Sequence, residues 1–465
     1  MNGDKQLSLE QGSKQLSLEA AKAFLLELAK SRQIQLEVFA ERSSSTSISA
    51  QNGQVDAFNV SHRVGIGLRV LHNGAWGYAH SENLSQAALE RALAMALEHA
   101  DLVAPEPFAL LAAWPEPPHV GDLYGEGLSG VGVDRKVQAA IALEGGARAA
   151  DPRVVAVAYS GYQDGESEVM VANTAGLDRS SKQNFAAQYT YPLVAEAGQS
   201  KSKFAWDFSR EFETLDPQRT ALESVQKSLA LLGAKPAPSG TFPVVIEHEC
   251  LAELLGTFSG LFNAKMVQEG KSPLAGRLGQ QIASEHVTLH DDATRPGGFA
   301  SRPFDAEGFP SRPITLIENG RLLAFLHNSE TAARAGQDSS GHAGRYGYQG
   351  TLTVAPSNMY LEPGDIAADA LRAKIETGLF LTGVSGTHAG ANPYTGEFSL
   401  EAEGFWIEAG QITHPLEVFT VAGNILELLL GIEAVGNDLK FGPPNGLGAY
   451  GCPSVLVKGL AIGGK

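Results

Sequence analysis

The chain has little cysteine, no long apolar run and no excess of basic residues. Its two cysteines, Cys250 and Cys452, are too few for a disulfide framework in 465 residues. No run of eighteen apolar residues is present to span a bilayer as a helix. The formal net charge of -17 argues against a protein that follows a nucleic-acid backbone, because such a protein needs a basic face. We therefore expect neither a membrane span nor a direct nucleic-acid ligand.

The opening segment MNGDKQLSLEQGSKQLSLEAAKAF carries charges and lacks the apolar core of a secretory signal. Together with the low cysteine content, this predicts a cytoplasmic protein. The length favours about two to four domains. A hydrophobic content of 43% is enough for ordinary buried cores.

Helical and strand patterns alternate in the first hundred or so residues. Apolar residues recur at helical spacing over 16–31, and short β-rich runs follow at 35–40, 45–51 and 65–71. Asn-Gly pairs between these runs are typical of tight hairpin turns. A second helical pattern follows Ser81, which we interpret as its N-cap. These elements predict an N-terminal α/β domain over residues 1–112.

A proline-rich linker precedes a second α/β segment, which we place at 113–235. Its pattern predicts, in order, a helix, two strands and a helix, at 134–150, 153–161, 167–173 and 214–232.

The remainder, 236–465, alternates short β-rich runs with glycine and contains a further predicted helix at 366–376. The fold class is therefore α+β. An N-terminal α/β region of two small subdomains precedes a predominantly β C-terminal domain with a packed helix.

That packed helix begins in the sequence EHECLAELLGTFSGL, which contains half of a metallopeptidase motif. His248 and Glu249 are the residue types of a zinc ligand and a general base. The second histidine of the common spacing is absent, since Ala252 takes its place and Glu253 follows. A broad apolar stripe favours a core helix, and acidic residues at its start suit the helix dipole. Cys250 and Cys452 are interpreted as small buried fillers.

Several ordered motifs resemble the TldD/PmbA family, also called the modulator of DNA gyrase or U62 peptidase family, and specifically its PmbA (TldE) branch. The matching stretches are RPFDAEGFPSRPITLIENG (302–320), PSNMYLEPGD (356–365), NPYTGEFS (392–399), GFWIE (404–408), TVAGN (420–424) and IEAVGND (432–438). GIGLRV (65–70) and GYAHSENL (77–84) are similar to the first domain of the family. The resemblance covers nearly the whole chain.

The resemblance implies a cytosolic proteolytic assembly of two related subunits. The TldD subunit carries an HExxxH helix and binds zinc through both histidines and a cysteine, whereas the PmbA-like subunit lacks that set. Extended, partly unfolded peptides enter a cleft between the subunits. The resemblance thus implies a noncatalytic subunit without its own cofactor, which forms a heterodimer with a zinc-bearing TldD-like partner, or a homodimer without that partner.

The alternative is a self-sufficient zinc metallopeptidase homodimer, with His248 and Glu253 as ligands and Glu249 as the base. Carboxylate can bind zinc. However, positions five apart lie about 140° apart on a regular helix, so joint ligation needs a local distortion. A third ligand is also needed, and Cys452 directly precedes the last predicted strand, whereas the glycine-rich segment 436–446 contains no cysteine or histidine.

Two further segments have an unusual composition but match no motif. The stretch 291–312 contains Arg295, Arg302 and Arg312 among three prolines, and we interpret it as a loop that lines a cleft or a subunit contact. Residues 341–345 (GHAGR) are rich in glycine but lack the pattern of a phosphate-binding loop. Nucleotide binding is therefore not expected.

Overall fold

The computed structural model describes residues 15–106, 109 and 111–464. The first fourteen residues, and with them most of the segment judged not to be a secretory signal, lie outside the described residues. Within the described part, no helix is long and apolar enough to cross a membrane.

The longest α-helices of the described ranges lie in the N-terminal half, and those after α5 have six residues or fewer. They are α1 (Leu18–Ser31), α2 (Gln86–Asp101), α3 (Val133–Ala149), α4 (Pro217–Ala230), α5 (His248–Phe258), α6 (Ala264–Gln268), α7 (Ser329–Arg334), α8 (Ala368–Arg372), α9 (Thr387–Gly390) and α10 (Ile425–Leu430).

The strands of the N-terminal region are long. They are β1 (Gln35–Gln51), β2 (Gln54–His72), β3 (Ala75–Ser81), β4 (Val154–Asn173), β5 (Asp178–Glu196), β6 (Gln199–Ser202) and β7 (Ala205–Ser209). All belong to one antiparallel sheet in the order β3-β2-β1-β4-β5-β6, with β7 also paired to β5. Helices α1 and α2 pack on one part of this sheet and α3 and α4 on the other, so the two α/β subdomains share a sheet.

Three local predictions in this region need correction. The runs 35–40 and 45–51 form the single strand β1, because its serine-rich middle continues to pair with β2 and β4 although it lacks apolar alternation. The runs 153–161 and 167–173 likewise form the one strand β4. Ser81 is not a helix N-cap: it ends β3 and its hydroxyl donates to the carbonyl of Asn83, while α2 begins after Ser85.

The C-terminal strands are β8 (Gly240–Ile246), β9 (Leu289–Asp292), β10 (Pro313–Glu318), β11 (Arg321–Leu322), β12 (Ala343–Gly344), β13 (Thr353–Val354), β14 (Asn358–Leu361), β15 (Thr377–Ser385), β16 (Glu397–Glu408), β17 (Gln411–Pro415), β18 (Phe419–Asn424), β19 (Ile432–Val435), β20 (Lys440–Phe441), β21 (Ala449–Cys452) and β22 (Val455–Gly463). Strands β15-β8-β22-β18-β16 form a ring that closes where β16 pairs with β15. A second sheet has the order β11-β10-β9-β14-β21-β20.

Helix α5 shares one buried core with the ring and with the second sheet. Leu251, Leu254, Leu255 and Phe258 join this core, as the apolar stripe of the helix predicts. The helix expected at 366–376 is shorter than predicted: after Arg372 the N–H groups of Lys374 and Ile375 donate to carbonyls three residues earlier instead of four, which ends α8. The predicted fold class, with α/β subdomains before a mostly β domain that packs a helix, is confirmed.

Candidate functional site

A cleft of about 620 Å³ lies between the edge of the N-terminal sheet and the C-terminal ring. One wall comes from the β6–β7 region, including Lys203 and Trp206, and the opposite wall from the ends of β15 and β16. The first turns of α5 contribute Glu249 and Glu253, and the loop 442–445 closes one end. Of the half-motif found in the sequence, Glu249 lies in the wall of this cleft, whereas His248 does not line it.

The strand-to-helix junction fixes where these side chains lie. Strand β8 is an apolar run paired on both sides, and the chain turns at Glu247 directly into α5. The backbone N–H of His248 donates to Ser454 Oγ at 3.2 Å, which ties the start of the helix to the segment just before β22. The N–H of Glu247, just before the helix, donates to the carbonyl of Leu381 in β15 at 2.9 Å, so the start of α5 is held by the segments on both sides of β8.

Glu249 is held between two lysines. Lys440 Nζ donates to its Oε1 at 2.7 Å, and Lys227 Nζ donates to its Oε2 at 3.0 Å. Burial alone would raise the pKa of Glu249, but the two ammonium groups outweigh that cost and hold its pKa at about 2. Because Lys227 belongs to α4 and Glu249 to α5, this ion pair also connects the N-terminal region to the C-terminal domain.

The pKa values of the neighbouring carboxyl groups, Glu247 and Glu253, are raised instead of lowered. Burial and the negative charge of Glu249 raise the pKa of Glu247 to about 7. Burial also raises the pKa of Glu253, and the ammonium group of Lys203 opposes that rise. Lys203 itself forms an ion pair with Glu403 across the cleft and donates to the carbonyl of Thr382 at 3.1 Å. The cleft thus contains both fixed charges and carboxyl groups that are easily neutralised.

His248 and Glu253 lie beside different charged groups. The Nδ1 of His248 is buried with no hydrogen-bond partner among the described residues, and burial lowers the pKa of the imidazole below its usual range. The charges that act on it belong to Glu249, Lys440, Asp438 and Lys227, whereas the charge that acts on Glu253 belongs to Lys203. The two side chains that the zinc alternative needs as ligands therefore have different neighbours.

The described residues do not supply a zinc-binding set. Within those ranges, no group of three His, Cys, Asp or Glu side chains is placed to hold a metal ion. Cys250 and Cys452 are buried, as expected, and burial raises the pKa of both thiols, which disfavours the thiolate that zinc requires. The zinc set of His248 and Glu253 stays a hypothesis that this arrangement does not favour.

Several residues of the cleft carry no sequence signal. Lys203 and Glu403 belong to no motif, and their ion pair joins residues 200 positions apart; Lys227, beside the cleft, also belongs to none. Lys440 lies in the segment 436–446, which contains no cysteine or histidine and therefore no metal-ligand signal. The positive charge of this lysine, which can neutralise Glu249, is the signal that the segment does contain.

Among residues 15–106, 109 and 111–464, no strand pairs with the end of β15 on the side that β8 leaves. Strand β16 pairs with β15 as far as Ser385, but on the other side β8 reaches only Leu379–Leu381 before α5 begins. Gly383, Val384 and Ser385 line the cleft. Their backbone groups on that side can accept an extended chain as an added strand.

The fold and the cleft together define a three-domain α+β protein whose C-terminal ring faces the edge of an N-terminal sheet. Three family models match successive parts: PmbA/TldA metallopeptidase domain 1 at 36–100, the central domain at 126–232 and the C-terminal domain at 239–464. The chain therefore belongs to the PmbA/TldD metallopeptidase family, as the sequence motifs predicted.

Relatives match over nearly full length. The chain is 26% identical to the metalloprotease PmbA of Escherichia coli O157:H7, covering 96% of each protein, and 29% identical to a metalloprotease of Methanothermobacter thermautotrophicus, covering 87% of this chain and 88% of that protein. Its structure resembles that of a modulator of a DNA gyrase from Thermotoga maritima, with a TM-score of 0.88 and 30% identity over 96% of this chain and all of the other. TldE from Thermococcus kodakarensis shares the fold, with a TM-score of 0.85 at 24% identity over 95% of this chain and all of the other.

Proposed function

We propose that this chain is the noncatalytic, PmbA/TldE-like subunit of a two-subunit zinc metallopeptidase and that it helps to hold an extended peptide in its cleft. The observation that carries the proposal is the pair of lysines on Glu249. The zinc belongs to a TldD-like partner, and a homodimer forms when that partner is absent. Cytoplasmic location remains the prediction made from the sequence.

Glu249 is poorly suited to act as a general base. Such a base must take a proton from metal-bound water near neutral pH, and its efficiency is greatest when its pKa lies near the working pH. The pKa of Glu249 is held at about 2. A carboxylate held so firmly in its charged form stabilises the domain contact with Lys227 and is a weak proton acceptor.

The cleft suits a peptide backbone better than a compact small molecule. Its free β15 edge offers backbone hydrogen bonds at Gly383, Val384 and Ser385, which are independent of the peptide sequence. Apolar side chains on its walls, including Phe204 and Val418, provide places for alternate peptide side chains. This combination supports binding of extended, partly unfolded peptides.

The first experiment measures mass, bound metal and peptide cleavage for three samples: this chain alone, a TldD-type protein alone, and their mixture. We expect this chain alone to hold no stoichiometric zinc and to cleave no unfolded peptide, and the mixture to form a zinc-bearing, active particle. Glu249→Gln should leave the activity of the mixture within about twofold, whereas loss of a true general base costs about 100-fold or more. Stoichiometric zinc in this chain that disappears in His248→Ala would refute the proposal.

The second experiment tests the peptide contact. A photo-reactive residue replaces Val418, which is 54% exposed in the cleft, or Met95, which is 50% exposed on α2 as a matched control. We expect an unfolded peptide to label the Val418 position of the assembled pair and not the Met95 position. Equal labelling, or none at Val418, would leave this chain only a scaffolding role.

A further inference from the structure

A second pocket of about 340 Å³ lies on the other side of the loop 442–448, and Pro444 lines both cavities. Its floor is the N-terminal sheet, and its roof is formed by residues 299–306, 343–345 and 446–448. Two arginines, Arg302 and Arg345, line it. The peptide cleft and the assembly proposed above do not involve these two side chains.

Arg345 is buried with most of its hydrogen-bonding capacity unused. Its side chain is 1% exposed, and neither Nε nor Nη2 has a hydrogen-bond partner in the part of the chain that the structure describes. The nearest carboxylate, Glu37 Oε1, lies 3.8 Å from Nη2, which is beyond hydrogen-bonding distance. The guanidinium instead stacks over the ring of Phe39, with 4.9 Å between Cζ and the ring centroid. An aromatic face does not satisfy these N–H donors.

Arg302 is half-buried as a residue, but two of its donors are also buried and unsatisfied. Its Nε and Nη2 are inaccessible to water and make no hydrogen bond with the described residues. Burial lowers the pKa of Arg302, although the charges of Asp291 and Asp305 oppose this effect. A buried guanidinium without hydrogen bonds is costly, because its desolvation is not repaid. A ligand that supplies hydrogen-bond acceptors to these N–H donors would offset the cost of their desolvation.

The two acidic groups that act on Arg302 are engaged elsewhere. Asp291 accepts from His342 Nε2 at 2.9 Å and from the backbone N–H and hydroxyl of Ser357. Asp305 accepts three backbone N–H groups, at 2.9, 2.9 and 3.0 Å. Burial and the charge of Glu307 also raise the pKa of Asp305, which weakens its negative charge. Neither carboxylate forms an ion pair with Arg302.

The acidic groups near Arg345 are engaged as well. Glu37 accepts from Arg69 Nε at 3.1 Å and from its Nη2 at 2.7 Å. Glu307 accepts two further hydrogen bonds from Arg69, both at 3.1 Å. Arg69 therefore takes up the hydrogen bonds of both glutamates, and Arg345 is left with a 3.8 Å ion pair to Glu37 that satisfies none of its donors.

The two arginine-bearing segments are held together before any ligand binds. The backbone N–H of Ala306 donates to the carbonyl of Ala343 at 3.1 Å, and the N–H of Ala343 donates to Asp305 Oδ2 at 3.0 Å. These bonds join residues three and four positions after Arg302 to a residue two positions before Arg345. The site is thus preorganised, which reduces the entropy lost on binding.

We propose that this pocket binds a carboxylate attached to a small apolar group. Guanidinium forks match carboxylate geometry and form strong charge-assisted hydrogen bonds. The rings of Phe39, Phe299 and Phe304 line the same pocket and provide the apolar contact. The volume lies at the small end of the range of ligand sites, about 300 to 1,000 Å³. The carboxylate belongs either to the C-terminal residue of a peptide or to a free carboxylic acid.

The test uses the full chain and calorimetric titration with four probes: Ala-Ala-Phe, its C-terminal amide, N-acetyl-phenylalanine and its amide. We expect each acid to bind at least about tenfold more tightly than its amide, since the amide loses the charge-assisted bonds. Tighter binding of the tripeptide acid than of N-acetyl-phenylalanine identifies peptide C-termini as the source, and the reverse order identifies free acids.

Variants separate binding from structural support. In Arg302→Met and Arg345→Met, we expect acid binding to weaken about tenfold or more, while the Tm of the unliganded chain stays the same or rises, because an unsatisfied buried charge is removed. Arg91→Met, on the exposed face of α2, is the matched control and should change neither. Ser181 on β5 lines the same pocket, so Ser181→Trp, which leaves both arginines in the sequence, should fill the pocket and abolish binding.

The proposal is overturned if neither acid binds saturably, or if acid and amide bind equally. It is also overturned if the arginine variants lower the unliganded Tm and leave acid binding unchanged, because the arginines would then have a structural role alone. These readouts use the isolated chain and need no metallopeptidase partner. Failure of the two-subunit proposal would therefore leave them unaffected.

Discussion

Replacing Glu249 by glutamine tests whether this residue is a structural anion or a proton acceptor. Its pKa is about 2, against an ordinary value of 4.5. Each pKa unit corresponds to about 1.4 kcal/mol, so the two lysines favour its charged form in the folded chain by about 3 kcal/mol. Its side chain is 22% exposed, and solvent therefore makes this figure an upper bound. We expect Glu249→Gln to lower the free energy of unfolding at pH 7 by up to about 3 kcal/mol.

The pH dependence has a definite sign. A carboxyl group whose pKa is lowered by folding stabilises the folded state above its unfolded pKa, and this stabilisation is lost as the pH falls toward the folded pKa. For Glu249 the loss occurs between pH 4.5 and about 2. At pH 3 the cost of Glu249→Gln should be about half of its value at pH 7.

The assay is urea unfolding followed by tryptophan fluorescence. Trp206 is a suitable reporter, because Lys440 Nζ lies 5.3 Å from the centroid of its ring. Glu223→Gln is the matched control: Glu223 also pairs with Lys227, at 2.8 Å, but a more exposed ion pair contributes less than about 1 kcal/mol. Equal costs for the two variants, or a cost for Glu249→Gln that does not shrink at pH 3, would refute the reasoning.

Two further predictions concern the same junction and the contact between domains. Folding raises the pKa of Glu247 to about 7, so its stabilising effect is present at low pH and is lost as the pH rises through 7. Glu247→Gln should therefore raise the Tm at pH 8 and change it little at pH 4, and equal Tm shifts at the two pH values would contradict this. Gly67→Ala should lower the Tm by several degrees, because the added Cβ would lie 2.2 Å from the carbonyl oxygen of Tyr348, whereas Gly130→Ala, with nothing within 4 Å, should not. Equal Tm values for the two glycine variants would exclude the close contact between Gly67 and Tyr348.

Patterns within short segments predicted much of the fold. The Asn52-Gly53 and Asn73-Gly74 turns occur as expected, with positive φ at all four residues. The apolar run before Glu247 and the stripe of α5 also lie where their periodicity indicates. These predictions of turns, apolar run and helix stripe agree with the structure because turn chemistry and hydrophobic period are local properties of the chain. Strand β5 went unrecognised, since many of its residues are polar and it is stabilised by pairing with β4.

The sequence by itself determined the family, the α+β class and the half-built motif at His248 and Glu249. Only the tertiary structure decided which groups contact that motif and therefore the charge of Glu249. Lys440 is 191 residues from Glu249, and no pattern along the chain could show that the two meet. The same holds for Arg302 and Arg345, whose missing hydrogen bonds become visible only when every nearby acceptor can be seen to be engaged. Charge state and unsatisfied donors depend on three-dimensional neighbours, and those neighbours come from distant parts of the chain.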